Sequence, residues 1–434
     1  MTEPPCDRNR KLLLALFERA IAAAQPHVCL PPHLPALPPS GKILVVGAGK
    51  AAAAMAQATE QHYHALGQLD AIHGFVTTRH GYARPTQKIE VMEAGHPVPD
   101  SASEAASLKT LEFISTANRD DCILVLLSGG ASALWSAPAA GLTLAAKQQL
   151  TRQLLKAGAR IDEMNCIRKH LSRIKGGRLA LAAAATGASM ITCAISDVPH
   201  DDPGTIGSGP TVGDQTTRHD ALAILQRYKI KPPPEISSAL ENPACETPKP
   251  SDPRLISSHF TIVAAPRASL DAAAELATAQ GLAVEILGDS IEGEAASVAR
   301  HHATLAKSAK AQGRRVAIMS GGELTVTIRG NGRGGPNQEY ALALAEALAG
   351  EPGIYAIAGD TDGTDGGSGS ADDPAGALVM PDTLARAAKT GLTPAAMLAD
   401  NDSTTFFAGL GDLVNTGPTQ TNVNDFRAIV VDGP

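Results

Sequence analysis

The chain has 434 residues, of which 44% are hydrophobic, 19% charged and only 3% aromatic. The formal net charge is −7 and no lysine- or arginine-rich block stands out, which argues against a nucleic-acid partner. No apolar run reaches the roughly 18 residues of a membrane-spanning helix, so no membrane association is expected. The length exceeds one ordinary domain and predicts two, with cores of Ala, Leu, Val and Ile.

The six cysteines form no CxxC pair and no metal-type spacing with histidine. They are expected to be reduced, buried thiols in a cytoplasmic protein. The N-terminal segment lacks the apolar stretch and small-residue cleavage site of a signal peptide. Residues 8–24 are instead predicted to form a helix.

Short β-branched runs that stop at Gly or Ser predict strands along the whole chain. In chain order they are residues 42–47, 73–78, 89–93, 122–128, 190–196, 260–264, 283–287, 315–320, 323–329 and 354–359. Alanine-rich helical stretches lie between them, for example at residues 50–65, 144–157 and 337–349. This alternation predicts an α/β fold with mainly parallel sheets.

A proline-rich zone interrupts the alternation at residues 231–235 and 242–254. It contains few residues that favour a helix or a strand, so we place the domain boundary there. The predicted domains are residues 1–240 and 255–434, joined by a linker over residues 241–254.

Glycine-rich turns after strands are the main functional signal, because the following helix offers free N–H groups and a positive dipole end to an anion. The first turn, residues 47–52 (GAGKAA), carries Lys50. A cation there is unfavourable unless an anion binds or the side chain points into solvent. The match to a dinucleotide fingerprint is weak, because the next strand runs into Arg79 rather than into an acid that would bind a ribose hydroxyl.

Two further segments have the composition of anion sites. Residues 128–134 (SGGASAL) combine two hydroxyls with two glycines at a strand end, which suits an anion cradle or a plain tight turn. Residues 168–178 (RKHLSRIKGGR) carry five formal cations and are either a solvated face or a phosphate site. The double glycine after Lys175 favours close approach of the backbone to a phosphate.

Carboxylates also follow predicted strands. Asp197 is placed to orient a hydroxyl, to bind Mg²⁺ or to cap a turn. Asp362 and Asp365 lie in residues 359–367 (GDTDGTDGG), where a calcium loop is excluded because its twelfth position is Ala371 rather than Glu. Neither a GxSxG elbow nor an HExxH motif occurs, which argues against covalent acyl chemistry and a zinc-protease site.

Taken in order, these segments resemble the class II glycerate kinases, which pair an N-terminal glycerate-kinase domain with a C-terminal MOFRL domain. The resemblance covers about residues 41–427 and rests on GAGKAA, LLSGGASAL, KHLSRIKGGRLA, ISDVPHDDPGTIGSGPT, SGGELTVTIRGNGRGG, GDTDGTDGG and GDLVNTGPTQTNVND. It implies a Rossmann-like three-layer first domain, a MOFRL α/β domain at about residues 313–427, and an active site in the cleft between them. It also implies transfer of the ATP γ-phosphate, with Mg²⁺, to the 2-hydroxyl of D-glycerate, giving 2-phosphoglycerate.

The resemblance and the motifs together yield a set of expected site residues. Lys50 would neutralise charge on the transferring phosphoryl group, and Asp197 would orient the glycerate hydroxyl or take its proton. Glu323, Asp362 and Asp365 are the expected metal ligands. The expected substrate- and nucleotide-binding residues are Gly47, Gly49, Ser128, Gly129, Gly130, Ser132, Lys175, Gly176, Arg333, Asn337 and Asn424.

The chain departs from the family pattern at three positions. Ala131 stands where a third glycine is expected, and Pro266 stands in a segment where a small residue and then Asn are expected. Pro336 replaces an arginine, whose planar fork would bind an anion through two hydrogen bonds. Arg333 is a candidate replacement. These departures leave the identity of the acceptor open.

Other functions are compatible with the sequence. One is an NAD(P)H-dependent hydroxypyruvate or tartronate reductase, which NADH consumption would reveal. Another is a non-catalytic protein that binds nucleotide or glycerate, and a third is a kinase of another small hydroxy acid. Expected partners are small molecules, and the sequence leaves homodimer formation and nucleotide preference open.

Overall fold

The computed structural model describes residues 4–367 and 372–433. They form two compact units. We call Pro26–Val263 the inserted unit, and the described parts of Met1–Gln25 and Ala264–Pro434 the split unit. The division differs from the predicted boundary at residues 241–254, because that segment lies within the inserted unit.

A six-stranded sheet in the order β3-β2-β1-β4-β5-β6 forms the centre of the inserted unit. Its strands are β1 (Ile43–Ala48), β2 (Ile72–Arg79), β3 (Ile89–Ala94), β4 (Cys122–Leu127), β5 (Ser189–Ile195) and β6 (Ser258–Ala264). The strands β1 to β5 pair in parallel. Every residue of β1 and β4 is buried, as expected for apolar strands covered on both faces. The strand order reverses between β1 and β4, the position where open α/β sheets bind ligands.

Helices cover this sheet and form a second core beside it. The helix α1 (Pro5–Ala23) belongs to the split unit, and the inserted unit contains α2 (Pro26–Cys29), α3 (Ala52–Ala65), α4 (Ser101–Ile114), α5 (Ala131–Leu134), α6 (Leu144–Lys156), α7 (Ile161–His170), α8 (Arg178–Ala184), α9 (Arg218–Arg227) and α10 (Pro234–Glu241). Short 3-10 helices lie at Pro31–His33, Leu69–Ala71, Pro199–Asp201, Ile206–Ser208, Pro243–Cys245 and Pro253–Leu255. Residues of α6, α7, α9 and α10 share the second apolar cluster, which includes Leu150, Leu154 and Leu240.

The split unit has a mixed six-stranded sheet in the order β13-β12-β11-β14-β9-β7. The strands are β7 (Ala283–Gly288), β9 (Val316–Ser320), β11 (Ile354–Asp360), β12 (Gly376–Val379), β13 (Leu413–Val414) and β14 (Asp425–Val431), and a separate pair consists of β8 (Gly293–Glu294) and β10 (Leu324–Thr325). The buried strand β14 runs antiparallel to both of its neighbours, and only β7 and β9 pair in parallel in this sheet.

Two apolar clusters form the core of the split unit. Its remaining helices are α11 (Pro266–Ala279), α12 (Ala295–Ala311), α13 (Pro336–Leu348), α14 (Thr383–Lys389), α15 (Pro394–Ala399) and α16 (Ser403–Leu410). Leu13, Leu16 and Phe17 of α1 share one cluster with Leu270 of α11. Residues of α12 and α13 belong to the other. The N-terminal helix is therefore part of the split unit's core.

The structure confirms the predicted α/β class and corrects several details. The predicted strand over residues 323–329 shrinks to the two-residue β10, and β8, β12, β13 and β14 were not predicted. All six cysteines are unpaired, but Cys6 is exposed and Cys29 is only half-buried, contrary to expectation. Within the described ranges, no helix combines the length and apolar character needed to cross a lipid bilayer.

Candidate active site

The loops that follow β1 and β4 interlock at the carboxyl edge of the inserted unit's sheet. Gly49 has a φ of 143°, and a Cβ on it would lie 2.0 Å from Ser128 Oγ. That hydroxyl oxygen accepts a hydrogen bond from the Ala51 N–H at 3.0 Å. The Lys50 N–H donates to the Gly129 carbonyl at 2.8 Å. Gly49 and Ser128 therefore hold the two loops together, and they fix the backbone of Lys50 at the end of β1.

Gly130 lets two other side chains approach the same edge. It has a φ of 85°, and a Cβ on it would lie 2.9 Å from His96 Cδ2 and 3.4 Å from Lys50 Cγ. His96 was not predicted as a site residue. Gly47, which was predicted as one, lies inside β1, where a Cβ would meet the Leu126 carbonyl at 2.6 Å. The absence of a side chain at Gly47 therefore allows close packing of the strands.

The segment after β5 joins these loops. Asp197 is half-buried and follows β5, the neighbour of β4 in the sheet. Further along, Ser208 Oγ lies 2.8 Å from Ser132 Oγ in α5. The structure thus brings the predicted segments after β1, β4 and β5 to one edge of the sheet, as their positions after parallel strands require.

Buried cations line a cavity of about 470 Å³ that begins at this edge. We call it the cationic cavity, and its polar residues include Ser132, Lys147, Arg152, Arg168 and Lys175. The Lys175 Nζ donates to the Ser132 carbonyl at 2.6 Å, whereas the Lys147 Nζ has no hydrogen-bond partner among the residues that the structure describes. Burial lowers the pKa of Lys147 to about 8 and that of Lys175 well below its usual value, and nearby cations lower both further.

The sequence contained a signal for Lys147 that was not used. On α6, Lys147 shares the buried face with Leu150 and Leu154, which lie three and seven positions further along the helix. A lysine on the apolar face of a helix is an unusual placement. The Gly176 N–H donates to the Ser208 carbonyl at 3.0 Å, so this N–H group is already bonded within the protein, and the ligand contact of Gly176 stays a prediction.

In the split unit, Asp365 is a helix cap rather than an open metal ligand. Its two carboxylate oxygens accept hydrogen bonds from the backbone N–H groups of Asn337 and Gln338 at 2.9 and 2.8 Å. The side-chain amides of the same residues donate to it at 3.2 and 3.0 Å. Burial raises the pKa of Asp365 to about 7, although these hydrogen bonds lower it. These four hydrogen bonds occupy both oxygens and make Asp365 an unfavourable metal ligand, so its predicted metal role stays untested.

An unpredicted buried arginine holds the neighbouring loop. The guanidinium of Arg427 donates to Asp425 Oδ2 at 3.0 Å and to the Gly321 carbonyl at 2.6 Å. Asp425 also accepts a hydrogen bond from the Asn337 amide at 2.7 Å. The side-chain amide of the predicted site residue Asn337 thus donates to two carboxylates, those of Asp365 and Asp425. Among the described residues, its Oδ1 has no hydrogen-bond partner.

The remaining predicted residues of the split unit are spread over its surface and loops. Glu323 and Arg333 are exposed. Asp362 is buried and accepts hydrogen bonds from the N–H and hydroxyl of Thr364 at 2.8 and 2.9 Å. Asn424, with a φ of 69°, accepts one from the next backbone N–H at 3.1 Å. Among the residues that the structure describes, no three His, Cys, Asp or Glu side chains are arranged to hold a metal ion.

Comparison with known proteins identifies the family of the chain. Residues 12–241 match a family described as a domain of unknown function, DUF4147, and residues 316–425 match the MOFRL family. A D-glycerate 2-kinase from Thermotoga maritima is 37% identical over 421 residues, or 96% of this chain and 97% of that protein. The chain belongs to the glycerate 2-kinase family. A crystal structure of glycerate kinase from T. maritima matches with a TM-score of 0.87 at 36% identity, covering 98% of this chain and all of that one.

Another similar protein carries a different name. A putative hydroxypyruvate reductase from Agrobacterium vitis is 47% identical over 428 residues, or 97% of this chain and 94% of that protein.

The departures of this member of the glycerate 2-kinase family have local explanations. Pro266 and Pro336 each occupy the first position of a helix, where proline is favoured because its missing N–H would have no partner. Ala131 is buried at the start of α5, and its Cβ would lie 3.2 Å from a Cβ on Gly207. Its methyl group therefore fills space against the segment that follows β5.

Proposed function

We propose that this protein transfers the γ-phosphoryl group of ATP to the 2-hydroxyl of D-glycerate, giving 2-phosphoglycerate and ADP. The observation that carries the proposal is the fixed position of Lys50 beside Gly130, at the edge where the loops after β1, β4 and β5 converge. Such an edge is where an open α/β sheet binds phosphorylated ligands. The 37% identity to a protein named D-glycerate 2-kinase supports the choice of acceptor.

The proposed reaction needs charge balance and an acceptor for one proton. The 2-hydroxyl oxygen forms a bond to the γ-phosphorus, the bond to the β–γ bridging oxygen breaks, and ADP leaves. The Lys50 ammonium offsets negative charge on the phosphoryl oxygens. The Asp197 carboxylate, which follows the second strand along from β1 in the sheet, orients the hydroxyl and receives its proton.

Magnesium enters this proposal as part of the nucleotide substrate. Mg²⁺ in kinases is held largely by substrate phosphates and waters, with one or two protein carboxylates. Asp365 does not fit that role because both of its oxygens already accept hydrogen bonds. Glu323 and Asp362 stay as candidate contacts of the nucleotide-bound ion, and no step is assigned to a resident metal.

The test is incubation of the purified protein with D-glycerate, ATP and Mg²⁺, with the product identified by ³¹P NMR. We expect 2-phosphoglycerate from the wild type and a fall in kcat of at least about a hundredfold in Lys50→Met, because one charge-stabilising group is removed. Lys42→Met is the matched control. Lys42 is exposed and lies just before the other end of β1, so this variant should keep full activity.

Other outcomes would change the conclusion in defined ways. A 3-phosphoglycerate signal would keep the kinase and overturn the position of transfer. Failure of D-glycerate, with turnover of another small hydroxy acid, would change the acceptor. Oxidation of NADH or NADPH by hydroxypyruvate, without any phosphorylated product, would favour the reductase that the name of the A. vitis relative suggests.

A further inference from the structure

The side chains that line the cationic cavity are suited to binding an anion. Lys147, Arg168 and Lys175 line it, and none of its lining residues is acidic. Lys147 and Lys175 are only 8% and 2% exposed, and the Lys147 Nζ has no hydrogen-bond partner in the described part of the chain. Glu104 acts on Lys147 electrostatically, but it does not line the cavity. Because a buried ammonium without a counter-charge is costly, a negatively charged ligand would stabilise the charged form of these side chains.

The mouth of the cavity is apolar. Its walls include Pro97, Val98 and Pro99 on one segment and Leu144 and Leu155 on α6. Val98 and Leu155 are 61% and 58% exposed, which is high for large apolar side chains. Exposed apolar side chains at the rim of a concave site are typical of a place where a ligand covers them. The ligand therefore has an apolar face in addition to its negative charge.

The size and position of the cavity further limit the kinds of ligand that it could bind. Its volume of about 470 Å³ falls in the range of roughly 300–1,000 Å³ that holds drug-sized ligands, which is far more than a three-carbon acid needs. Gly130 and Ser132 belong to the cavity wall and also to the loop beside Lys50. A chain of phosphates bound on the cations would therefore extend toward Lys50.

We propose that the cationic cavity is the nucleoside triphosphate subsite of this protein. The phosphates bind Lys147, Arg168 and Lys175, and the base packs between Val98 and Leu155. The terminal phosphate reaches the edge of the sheet at Gly130. This inference rests on the proposed kinase function for the identity of the ligand, and it adds where the nucleotide binds and which side chains recognise it.

The test is calorimetric titration of the full chain with MgATP in the absence of glycerate. Lys147→Met is expected to raise the Kd at least about tenfold, because it removes a buried charge-assisted contact. The methionine keeps a similar length without the unpaired charge, so the variant is expected to fold. Lys156→Met is the matched control, since Lys156 is exposed on the same helix and should leave the Kd unchanged.

A second variant tests the proposed position of the nucleotide base. Leu155→Ser is expected to raise the Kd for ATP about threefold or more, because apolar contact is lost, and to leave the Kd for inorganic tripolyphosphate unchanged. Equal weakening for both probes would overturn the placement of the base.

Two further outcomes separate this inference from the proposed reaction. An unchanged ATP affinity in Lys147→Met, with a raised KM for D-glycerate, would overturn the inference and assign the cavity to the hydroxy acid. ATP binding that depends on Lys147, in a protein that does not phosphorylate glycerate, would support the inference while refuting the proposed acceptor.

Discussion

His302 is a buried side chain whose charge state affects stability. It is 3% exposed, and its Nδ1 lies 2.9 Å from the Tyr340 hydroxyl. Burial lowers the pKa of His302 from 6.5 to about 4, and the charges of Arg427 and His301 lower it further. The folded protein therefore holds this imidazole neutral over a pH range in which an unfolded chain protonates it.

Because of this lowered pKa, His302 makes the folded protein less stable as the pH falls. Below pH 6.5 the unfolded state binds the proton first, so the stabilisation that is present above pH 6.5 is lost as the pH falls toward 4. At pH 4.5 the free energy of unfolding should be lower by about 2 kcal/mol from this residue. Urea unfolding at pH 7 and 4.5 should show a smaller difference in His302→Asn, which keeps a polar atom near Tyr340. His64→Asn, at an exposed position of α3, should behave like the wild type.

Residue types alone predicted part of the candidate site. Lys50, Ser132 and Lys175 were predicted because glycines and charges near them in sequence mark strand-end loops, and their binding roles stay predictions. Ser128 and Asp365 were also found, but as ligand contacts, whereas they bond to the protein itself. A sequence shows that a hydroxyl or carboxylate needs partners, but the partners come from distant segments, here 77 and 28 residues away along the chain.

Among the helices, α13 has its first turn closed by a side chain from another part of the fold. The N-cap residue Gly335, which precedes the helix, provides no side-chain cap, and Pro336 has no N–H to satisfy. Asp365 accepts the next two backbone N–H groups from outside the helix. These hydrogen bonds join the start of α13 to the loop after β11. The carboxylate of Asp365 also interacts favourably with the helix dipole.

Asp365→Asn should therefore lower the free energy of unfolding by about 3 kcal/mol. The NH2 group that replaces one carboxylate oxygen faces an N–H donor of Asn337 or Gln338, and that donor loses its acceptor. Chemical denaturation should show the same loss in EDTA and in Mg²⁺. A loss that appears only with Mg²⁺ would restore Asp365 as a metal ligand. Asp271→Asn, at a half-buried surface position of α11, is the control and should change stability by less than about 0.5 kcal/mol.

Strands were predicted well where the local sequence suffices. The positions of β1 and β4 were predicted within one residue at each end, because strands buried on both faces are uninterrupted apolar runs. The predicted strand over residues 323–329 failed because most of it has no neighbour to pair with, and Ile328 is 81% exposed. The central position of β14 was missed because its antiparallel pairing with β9 and β11 depends on chain segments far from it.

At the scale of the whole molecule, the chain enters the split unit, leaves it for the inserted unit, and returns. The proline-rich segment is part of the inserted unit rather than a connection. Cys245 is buried within its helical core, and the Thr247 hydroxyl donates to Asp214 Oδ2 at 3.0 Å. Proline content predicted an irregular backbone correctly, but irregular backbone can still be packed.

Two fragments test this division. Residues 26–263 should fold cooperatively alone, whereas residues 26–240 should not, because they lack β6 and the segment that completes both apolar clusters. Circular dichroism during thermal unfolding distinguishes the two. A cooperative transition of equal midpoint in both fragments would support the predicted linker at residues 241–254.

The separation of α1 from the rest of its unit affects how the protein is made. On the ribosome, α1 leaves the exit tunnel before its packing partner α11, which follows the 238 residues of the inserted unit (26–263) in the sequence. At roughly 5–20 residues per second, synthesis of that unit takes about 12–48 seconds. During this interval the apolar face formed by Leu13, Leu16 and Phe17 lacks its native cover. That face is covered only once α11 has been translated and packs against it.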